Sequence, residues 1–132
     1  MQPGKVLEYD YTIAKCFLFT TLAFGIIGML IGVLIAFQMA FPDLNYLLGE
    51  YGTFSRLRPL HTNGVVYGFM LSGIFATWYY VGQRVLKVSM GESKFLKTIG
   101  WLHFILYVIV ILLAVFSLFA GVTTSKEYAE LE

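Results

Sequence analysis

Hydrophobic positions fall into three long runs that contain no Asp, Glu, Lys or Arg. These runs extend from residue 16 to 41, from 59 to 83 and from 98 to 125, and they contain 26, 25 and 28 residues. A helix needs about 20 apolar residues to cross the roughly 30 Å hydrocarbon core of a bilayer. Because lipid offers no partners for backbone groups, each run is expected to be helical. The pattern predicts an all-α integral membrane protein with three transmembrane helices.

The polar segments between the runs predict the orientation of the chain. Six of the nine Lys and Arg residues lie in the lead, residues 1–15, and in the second loop, residues 84–97. The first loop, residues 42–58, and the tail, residues 126–132, hold the other three. Basic residues are enriched on the cytoplasmic side of membrane proteins. We therefore expect a multi-pass protein whose amino terminus is cytoplasmic.

Composition excludes several classes of function. Apolar residues make up 58% of the chain, charged residues make up 13%, and the net charge is +1. This balance offers no basic face for a nucleic acid. The single cysteine, Cys16, permits neither an internal disulfide nor a thiolate metal cluster.

The first span contains a strip of small residues. Gly25, Gly28, Gly32 and Ala36 recur at helical spacing, and Gly28 and Gly32 form a GxxxG pair. Small residues in this pattern allow a neighbouring helix to approach closely. We interpret the strip as a helix-packing surface.

The second span contains the residue that most requires explanation. Pro59 occupies a favoured first helical position, and His61 follows about half a turn later in an uncharged run. An ionisable side chain within a membrane span is a functional hypothesis by default. At 100° per residue, His61 shares a face with Gly64, Gly68 and Ser72, so the face is small enough for a flat group.

Haem is such a group, and imidazole is a common axial ligand of its iron. In this hypothesis His61 binds the iron, and the propionates point towards Arg56 and Arg58, whose guanidinium groups suit carboxylates. The alternative is that His61 donates a hydrogen bond to a backbone carbonyl of a neighbouring helix, while Gly64 and Gly68 serve packing alone. Periodicity does not decide between them.

The third span contains the only other histidine, His103. Antiparallel neighbouring helices place His61 and His103 near opposite membrane edges, about 25 to 30 Å apart in depth at 1.5 Å per residue. The two histidines therefore cannot bind one iron. We interpret His103, beside Trp101, as a packed or interfacial residue.

The tail carries three carboxylates, Glu127, Glu130 and Glu132, on the side predicted for Arg56 and Arg58. Carboxylates at an interface can bind a hard cation such as calcium or pair with arginines. Composition alone favours a solvated acidic tail.

Several of these motifs together resemble a known family. The run from Gly52 to Gly64, reading GTFSRLRPLHTNG, is followed by Trp78-Tyr79-Tyr80, by Gln83-Arg84 and by the tail from Ser125 to Glu130. This combination resembles the start of the catalytic subunit of the cbb3-type cytochrome c oxidases, which belong to the haem-copper oxidase superfamily. The resemblance covers essentially the whole chain.

The resemblance implies roles for individual residues. His61 matches the first axial ligand of the low-spin b haem, and Arg58 matches an arginine near the haem propionates. Glu127 matches a carboxylate associated with a calcium ion that bridges those propionates, and Glu130 matches its companion. The resemblance thus favours the haem hypothesis for His61 and a calcium role for the tail.

The resemblance also implies the reaction. Such subunits reduce oxygen to water with electrons from cytochrome c, coupled to proton translocation, in the bacterial inner membrane together with c-type cytochrome subunits. They have about twelve helices, and the high-spin haem, copper and second low-spin ligand belong to later ones. We therefore expect this chain to be an amino-terminal fragment that needs the remainder of subunit I and lacks the oxygen-reducing site.

Two other functions remain open at this point. The catalytic subunit of nitric oxide reductase shares the His-Thr-Asn sequence of the second span. A non-enzymatic three-helix membrane assembly protein would use the glycine strips for packing only. The spans show no series of polar residues to which we assign a proton path.

Overall fold

The computed structural model describes residues 8–47 and 49–122. It contains three helices that are long and apolar enough to cross a membrane: α1 (Thr12–Ala40), α2 (Phe54–Leu86) and α3 (Lys94–Ala120). Two 3₁₀ turns, Pro42–Tyr46 and Gly49–Gly52, connect α1 to α2. The prediction of an all-α membrane fold with three spanning helices is confirmed.

Helix α1 begins at Thr12, four residues before its apolar run. The carboxylate of Asp10 accepts hydrogen bonds from the backbone N–H of Thr12 at 3.0 Å and from its hydroxyl at 2.6 Å. Such a bond satisfies a donor that a helix start leaves unpaired. The helix ends at Ala40, one residue before the end of its uncharged run, and Pro42, which cannot continue the hydrogen-bond pattern, follows shortly after.

Helix α2 begins at Phe54, so Pro59 lies inside the helix instead of at its first position. The carbonyl of Thr53 accepts hydrogen bonds from the N–H groups of Arg56 and Leu57, both at 3.0 Å. Leu57 is 5% exposed and packs with apolar residues of both other helices. The uncharged run from residue 59 marks the part of α2 that is suited to lipid. The helix itself begins earlier, before Arg56 and Arg58, because Leu57 is packed against the other two helices.

The middle of α2 is a π-helix from Gly64 to Met70. The N–H of Leu71 bonds to the carbonyl of Val66, five residues earlier. Two side-chain hydroxyls bond to carbonyls of this segment. Tyr107 of α3 donates to the carbonyl of Tyr67, and Ser72 donates to that of Gly68. Wide turns of this kind are frequent at functional sites.

Helix α3 ends five residues before the predicted limit of Ser125. Gly121 has a φ of 84°, in the left-handed region that favours glycine. The N–H groups of Gly121 and Val122 bond to the carbonyls of Leu118 and Ser117 at 3.0 and 2.9 Å. This closure is typical of a helix C-terminus.

Two apolar clusters hold the bundle together at different depths. Near Pro42 the buried cluster consists of Ile35, Leu57, Leu60 and Leu118. Near Asp10 it consists of Ile13, Phe17 and Ala76, surrounded by aromatic side chains. We call these two ends of the bundle the Pro42 end and the Asp10 end. Because each cluster draws residues from α1 and α2, these two helices form a continuous pair along their length.

Candidate functional site

His61 lies against α1 in the half of the bundle nearer the Pro42 end. Its Nδ1 is 2.7 Å from the carbonyl oxygen of Gly28. A carbonyl oxygen only accepts, so Nδ1 carries the proton and donates. The other ring nitrogen, Nε2, makes no hydrogen bond within the described residues. A neutral imidazole in this tautomer presents an Nε2 lone pair.

Gly32 makes room for the imidazole ring. A Cβ at this position would lie 2.6 Å from Cε1 and 3.0 Å from Nδ1 of His61. Real Cβ atoms essentially never approach that closely. The GxxxG pair is therefore a packing surface, as the sequence predicts, and its specific role is to seat His61 between two helices.

The small-residue face of α2 is covered by α1, which differs from the prediction of a face open to a flat group. A Cβ at Gly68 would lie 2.7 Å from the ring of Phe24. The Ser72 hydroxyl is 2.8 Å from that of Thr21. Helix α1 occupies the space beside these small residues. Gly64 is the exception, because a Cβ there would meet no atom within 4 Å.

The two arginines before His61 have different environments. The Nη1 group of Arg56 donates to the carbonyl of Phe119 at 3.0 Å, and its guanidinium lies 5.2 Å from the centre of the Tyr51 ring. Arg56 therefore caps the C-terminus of α3, where a cation is favoured. Arg58 is half-buried, and its carbonyl accepts from the Thr62 hydroxyl at 3.0 Å.

The predicted calcium residues, Glu127 and Glu130, lie outside the described residues. Within residues 8–47 and 49–122, no three His, Cys, Asp or Glu side chains are grouped so as to hold a metal ion. The donor set described at His61 is therefore a single imidazole.

His103 is packed in an aromatic cluster near the Asp10 end. Its Nδ1 is 2.9 Å from the hydroxyl of Tyr79, and its ring centre is 5.3 Å from that of Phe17. Phe17 precedes Gly28, the partner of His61, by 11 residues on α1, which is about 17 Å of helix at 1.5 Å per residue. The two histidines are therefore too far apart in depth to bind one iron.

Sequence reasoning missed the polar contacts between helices. Thr21 bonds to Ser72, and Gln83 bonds to the carbonyls of Asp10 and Tyr79, both at 2.9 Å. The available signal was the presence of hydrogen-bonding side chains in otherwise apolar runs. Their partners depend on helix rotation, which periodicity does not supply.

The bond from His61 to Gly28 is the contact that the alternative hypothesis expects, a histidine that donates to a backbone carbonyl of a neighbouring helix. The same contact is also compatible with an axial ligand of haem iron. Metal-binding histidines almost always donate their second ring N–H to a carbonyl, a carboxylate or water, which fixes the tautomer and the ring orientation. The Nδ1 bond to Gly28 provides such a contact and leaves Nε2 as the donor atom. A single oriented imidazole is suited to one axial position.

Comparison with known proteins identifies a family and its relatives. The family model for cytochrome c and quinol oxidase polypeptide I matches residues 12–132. The chain is 44% identical over 132 residues to the cbb3-type cytochrome c oxidase subunit CcoN1 of Stutzerimonas stutzeri, covering 100% of this chain and 27% of the relative. It is 38% identical over 131 residues to cytochrome c oxidase subunit 1 of Rhodobacter capsulatus, covering 98% and 24%.

A third relative is the cytochrome c oxidase subunit 1 homolog of Agrobacterium tumefaciens (strain T37). It is 37% identical over 130 residues, which cover 98% of this chain and 23% of the relative. The chain thus spans about a quarter of the length of each of these three relatives.

Proposed function

Since this chain belongs to the cytochrome c and quinol oxidase polypeptide I family, we propose that it forms part of the catalytic subunit of a cbb3-type cytochrome c oxidase. The whole enzyme reduces oxygen to water with electrons from cytochrome c and couples the reaction to proton translocation. Support comes from the 44% identity to a relative named as a cbb3-type subunit. All three relatives described above are named as cytochrome c oxidase subunits or homologs, which favours this function over nitric oxide reduction.

Within that enzyme, His61 provides one axial ligand of the low-spin b haem. When bound, the haem supplies one-electron redox chemistry. The hydrogen bond from Nδ1 to Gly28 is the observation that supports this role, because it fixes the tautomer and orients the ring. Nε2 is then the nitrogen that would bind the iron. Gly32 makes room for the imidazole against α1, because a Cβ at this position would lie 2.6 Å from Cε1 of His61.

The charged residues take separate roles in this proposal. Arg58 and Arg56 supply positive charge for the haem propionates, and Arg56 also donates to the carbonyl of Phe119 at the end of α3. Glu127 holds a calcium ion near the same propionates, with Glu130 as its companion carboxylate. These assignments rest on the family resemblance and on the proximity of Arg58 to His61 in sequence.

The setting is also part of the proposal. The chain lies in the bacterial inner membrane with its amino terminus in the cytoplasm, because the lead and the second loop hold most of the Lys and Arg residues. Its partners are the remaining helices of subunit I, the c-type cytochrome subunits and the electron donor cytochrome c.

The test compares the two histidines in the assembled oxidase. We expect His61→Ala to remove the low-spin haem band from the reduced-minus-oxidised spectrum. The matched control, His103→Ala, should retain the band, because His103 lies in the aromatic cluster at the Asp10 end. Haem content per subunit, measured on the same samples, distinguishes a lost haem from a lost protein. A His61→Ala enzyme with its full complement of low-spin haem would contradict the proposal.

A further inference from the structure

We propose that the surface between α1 and α2 at the Asp10 end binds one anionic phospholipid. A groove of about 340 Å³ lies between the two helices there. Its floor is formed by Ala14 and Ala76, which are 6% and 8% exposed, and its sides include Leu18, Thr77 and Tyr80. We call this surface the α1–α2 groove. The inference does not depend on the haem proposal.

The groove continues towards the middle of the bundle. A second cavity of about 480 Å³ shares Thr77 with the first and is lined further along by Thr21, Gly73 and Met70. From Tyr80 to Met70 is ten residues, or about 15 Å of helix. That length is about half of a 30 Å hydrocarbon core. The groove therefore matches one acyl chain within a single leaflet.

The end of the groove nearest Asp10 is basic. Lys15 lines the opening and is exposed, and its ammonium group has no partner within the described residues. Arg84 contacts two other lining residues, with its guanidinium 5.0 Å from the Tyr80 ring centre and its Nε donating to the Tyr11 hydroxyl at 3.0 Å. This arrangement leaves the Nη groups of Arg84 available for a phosphate oxygen.

Three carboxylates, Glu8, Asp10 and Glu92, line a neighbouring cavity that Lys15 also borders, but none of them lines the α1–α2 groove itself. Asp10 is paired with Lys97, whose Nζ lies 2.9 Å from Oδ2. The α1–α2 groove is apolar and has two cations at one end, so it complements a lipid with acyl chains and an anionic headgroup. Basic pockets between transmembrane helices recognise such lipids, and a zwitterionic headgroup would gain less from the two cations.

Trp78 provides a direct readout, because it lines the groove and is 66% exposed. The full chain would carry Trp101→Phe, which leaves Trp78 as its single tryptophan. Quenching of Trp78 by brominated phosphatidylglycerol is then compared with quenching by brominated phosphatidylcholine in vesicles at low salt. We expect phosphatidylglycerol to bind at least about fivefold more tightly, with about a fivefold loss for each cation removed in Lys15→Gln and Arg84→Gln.

The matched control is Lys94→Gln, which removes an exposed cation from the start of α3 outside the groove. This variant should keep the wild-type preference. An equal loss in Lys94→Gln would show general attraction to an anionic surface and would overturn the proposal. Equal quenching by the two lipids in the wild-type groove would also overturn it.

A second measurement does not depend on fluorescence. Mass spectrometry of the protein purified in mild detergent should show a retained anionic phospholipid in wild type and in Lys94→Gln, and its loss in the Lys15→Gln, Arg84→Gln double variant. Retention by the double variant would contradict the assignment of these two cations.

Discussion

At the scale of single residues, the contact between His61 and α1 is the most sensitive point of the bundle. The imidazole donates to Gly28 and lies where a Cβ on Gly32 would be. Helical interiors are close-packed, so an added methyl group at such a position forces either the ring or the helix to move. Ring orientation and helix packing are therefore determined by the same contact.

Gly32→Ala tests this sensitivity. The new Cβ would lie 2.6 Å from Cε1 of His61, so we expect the free energy of unfolding to fall by about 1 to 3 kcal/mol. The measurement is unfolding in mixed detergent micelles followed by circular dichroism. In the control, Gly82→Ala, the Cβ would meet no atom within 4 Å. A similar loss in both variants would show that the effect does not come from crowding of the imidazole.

Residue-level chemistry was partly predictable from the sequence. His61 was identified because it is an ionisable group in an uncharged run, and Gly28 and Gly32 because of their spacing. A hydrogen bond from His61 to a carbonyl of a neighbouring helix was one of two hypotheses, but Gly28 as its partner was not predictable, since the partner depends on the rotation of two helices relative to one another. The role of Arg56 at the end of α3 was missed for the same reason, because Phe119 is 63 residues away along the chain.

At the scale of elements, α2 differs most from a regular helix. Its π-helical segment begins three residues after His61. A π-turn breaks the usual pairing of backbone groups, and here hydroxyls of Ser72 and Tyr107 bond to carbonyls within the segment. No change in hydrophobic period marks this segment, so the sequence predicted a regular α-helix throughout. Similarly, each helix starts before its uncharged run, and α3 ends before its run does, because caps and packing, rather than charge, determine the helix ends.

Tyr107→Phe removes the hydroxyl that bonds to the Tyr67 carbonyl and leaves the rest of the side chain in place. Hydrogen bonds between membrane helices contribute about 0.6 kcal/mol on average and up to about 1.7. We expect a loss of about 1 kcal/mol in the free energy of unfolding. Steric trapping or detergent-induced unfolding provides the measurement.

Tyr46→Phe is the matched control for this variant. Tyr46 is 82% exposed in the turn after α1, and its hydroxyl makes no hydrogen bond within the described residues. The free energy of unfolding of the Tyr46→Phe variant should stay within about 0.5 kcal/mol of wild type. If Tyr107→Phe were equally neutral, the hydroxyl would not stabilise the π-helical segment.

At the scale of the whole molecule, polar contacts join the helices at both ends of the bundle. At the Pro42 end, Arg56 bonds to the end of α3, and Gln38 of α1 donates to the carbonyl of Gly52 at 2.5 Å. At the Asp10 end, Asp10 pairs with Lys97 of α3, and Gln83 bonds to the carbonyl of Asp10 at 2.9 Å. The apolar clusters provide burial, and these contacts fix the relative positions of the helix ends.

The Asp10 contact predicts a pH dependence of stability. Hydrogen bonds from Thr12 and then Lys97 lower the pKa of Asp10 from 3.8 to about 2. A carboxyl whose pKa is lower in the folded state stabilises the protein above its unfolded pKa. This contribution is complete above about pH 4 and is lost as the pH falls from about 4 towards 2.

Asp10→Asn should therefore flatten the fall in unfolding midpoint between pH 5 and pH 2.5. The measurement is thermal unfolding in detergent at both pH values for wild type and variant. Asp43→Asn serves as the control, because Asp43 makes no hydrogen bond or ion pair within the described residues. It should keep the wild-type dependence. An unchanged dependence in Asp10→Asn would assign the acid sensitivity to other groups.

The π-helical segment has a further consequence for how α2 tolerates sequence change. In a regular helix, adding or removing one residue between two side chains turns them by about 100° relative to each other. The π-helical segment between His61 and Gln83 already contains one extra residue of this kind. Shortening it by one residue would swing the imidazole away from Gly28, while Gln83 could keep its contacts with Asp10 and Tyr79. The direction in which His61 points around the helix axis can thus change without loss of the contacts that Gln83 makes at the other end of the helix.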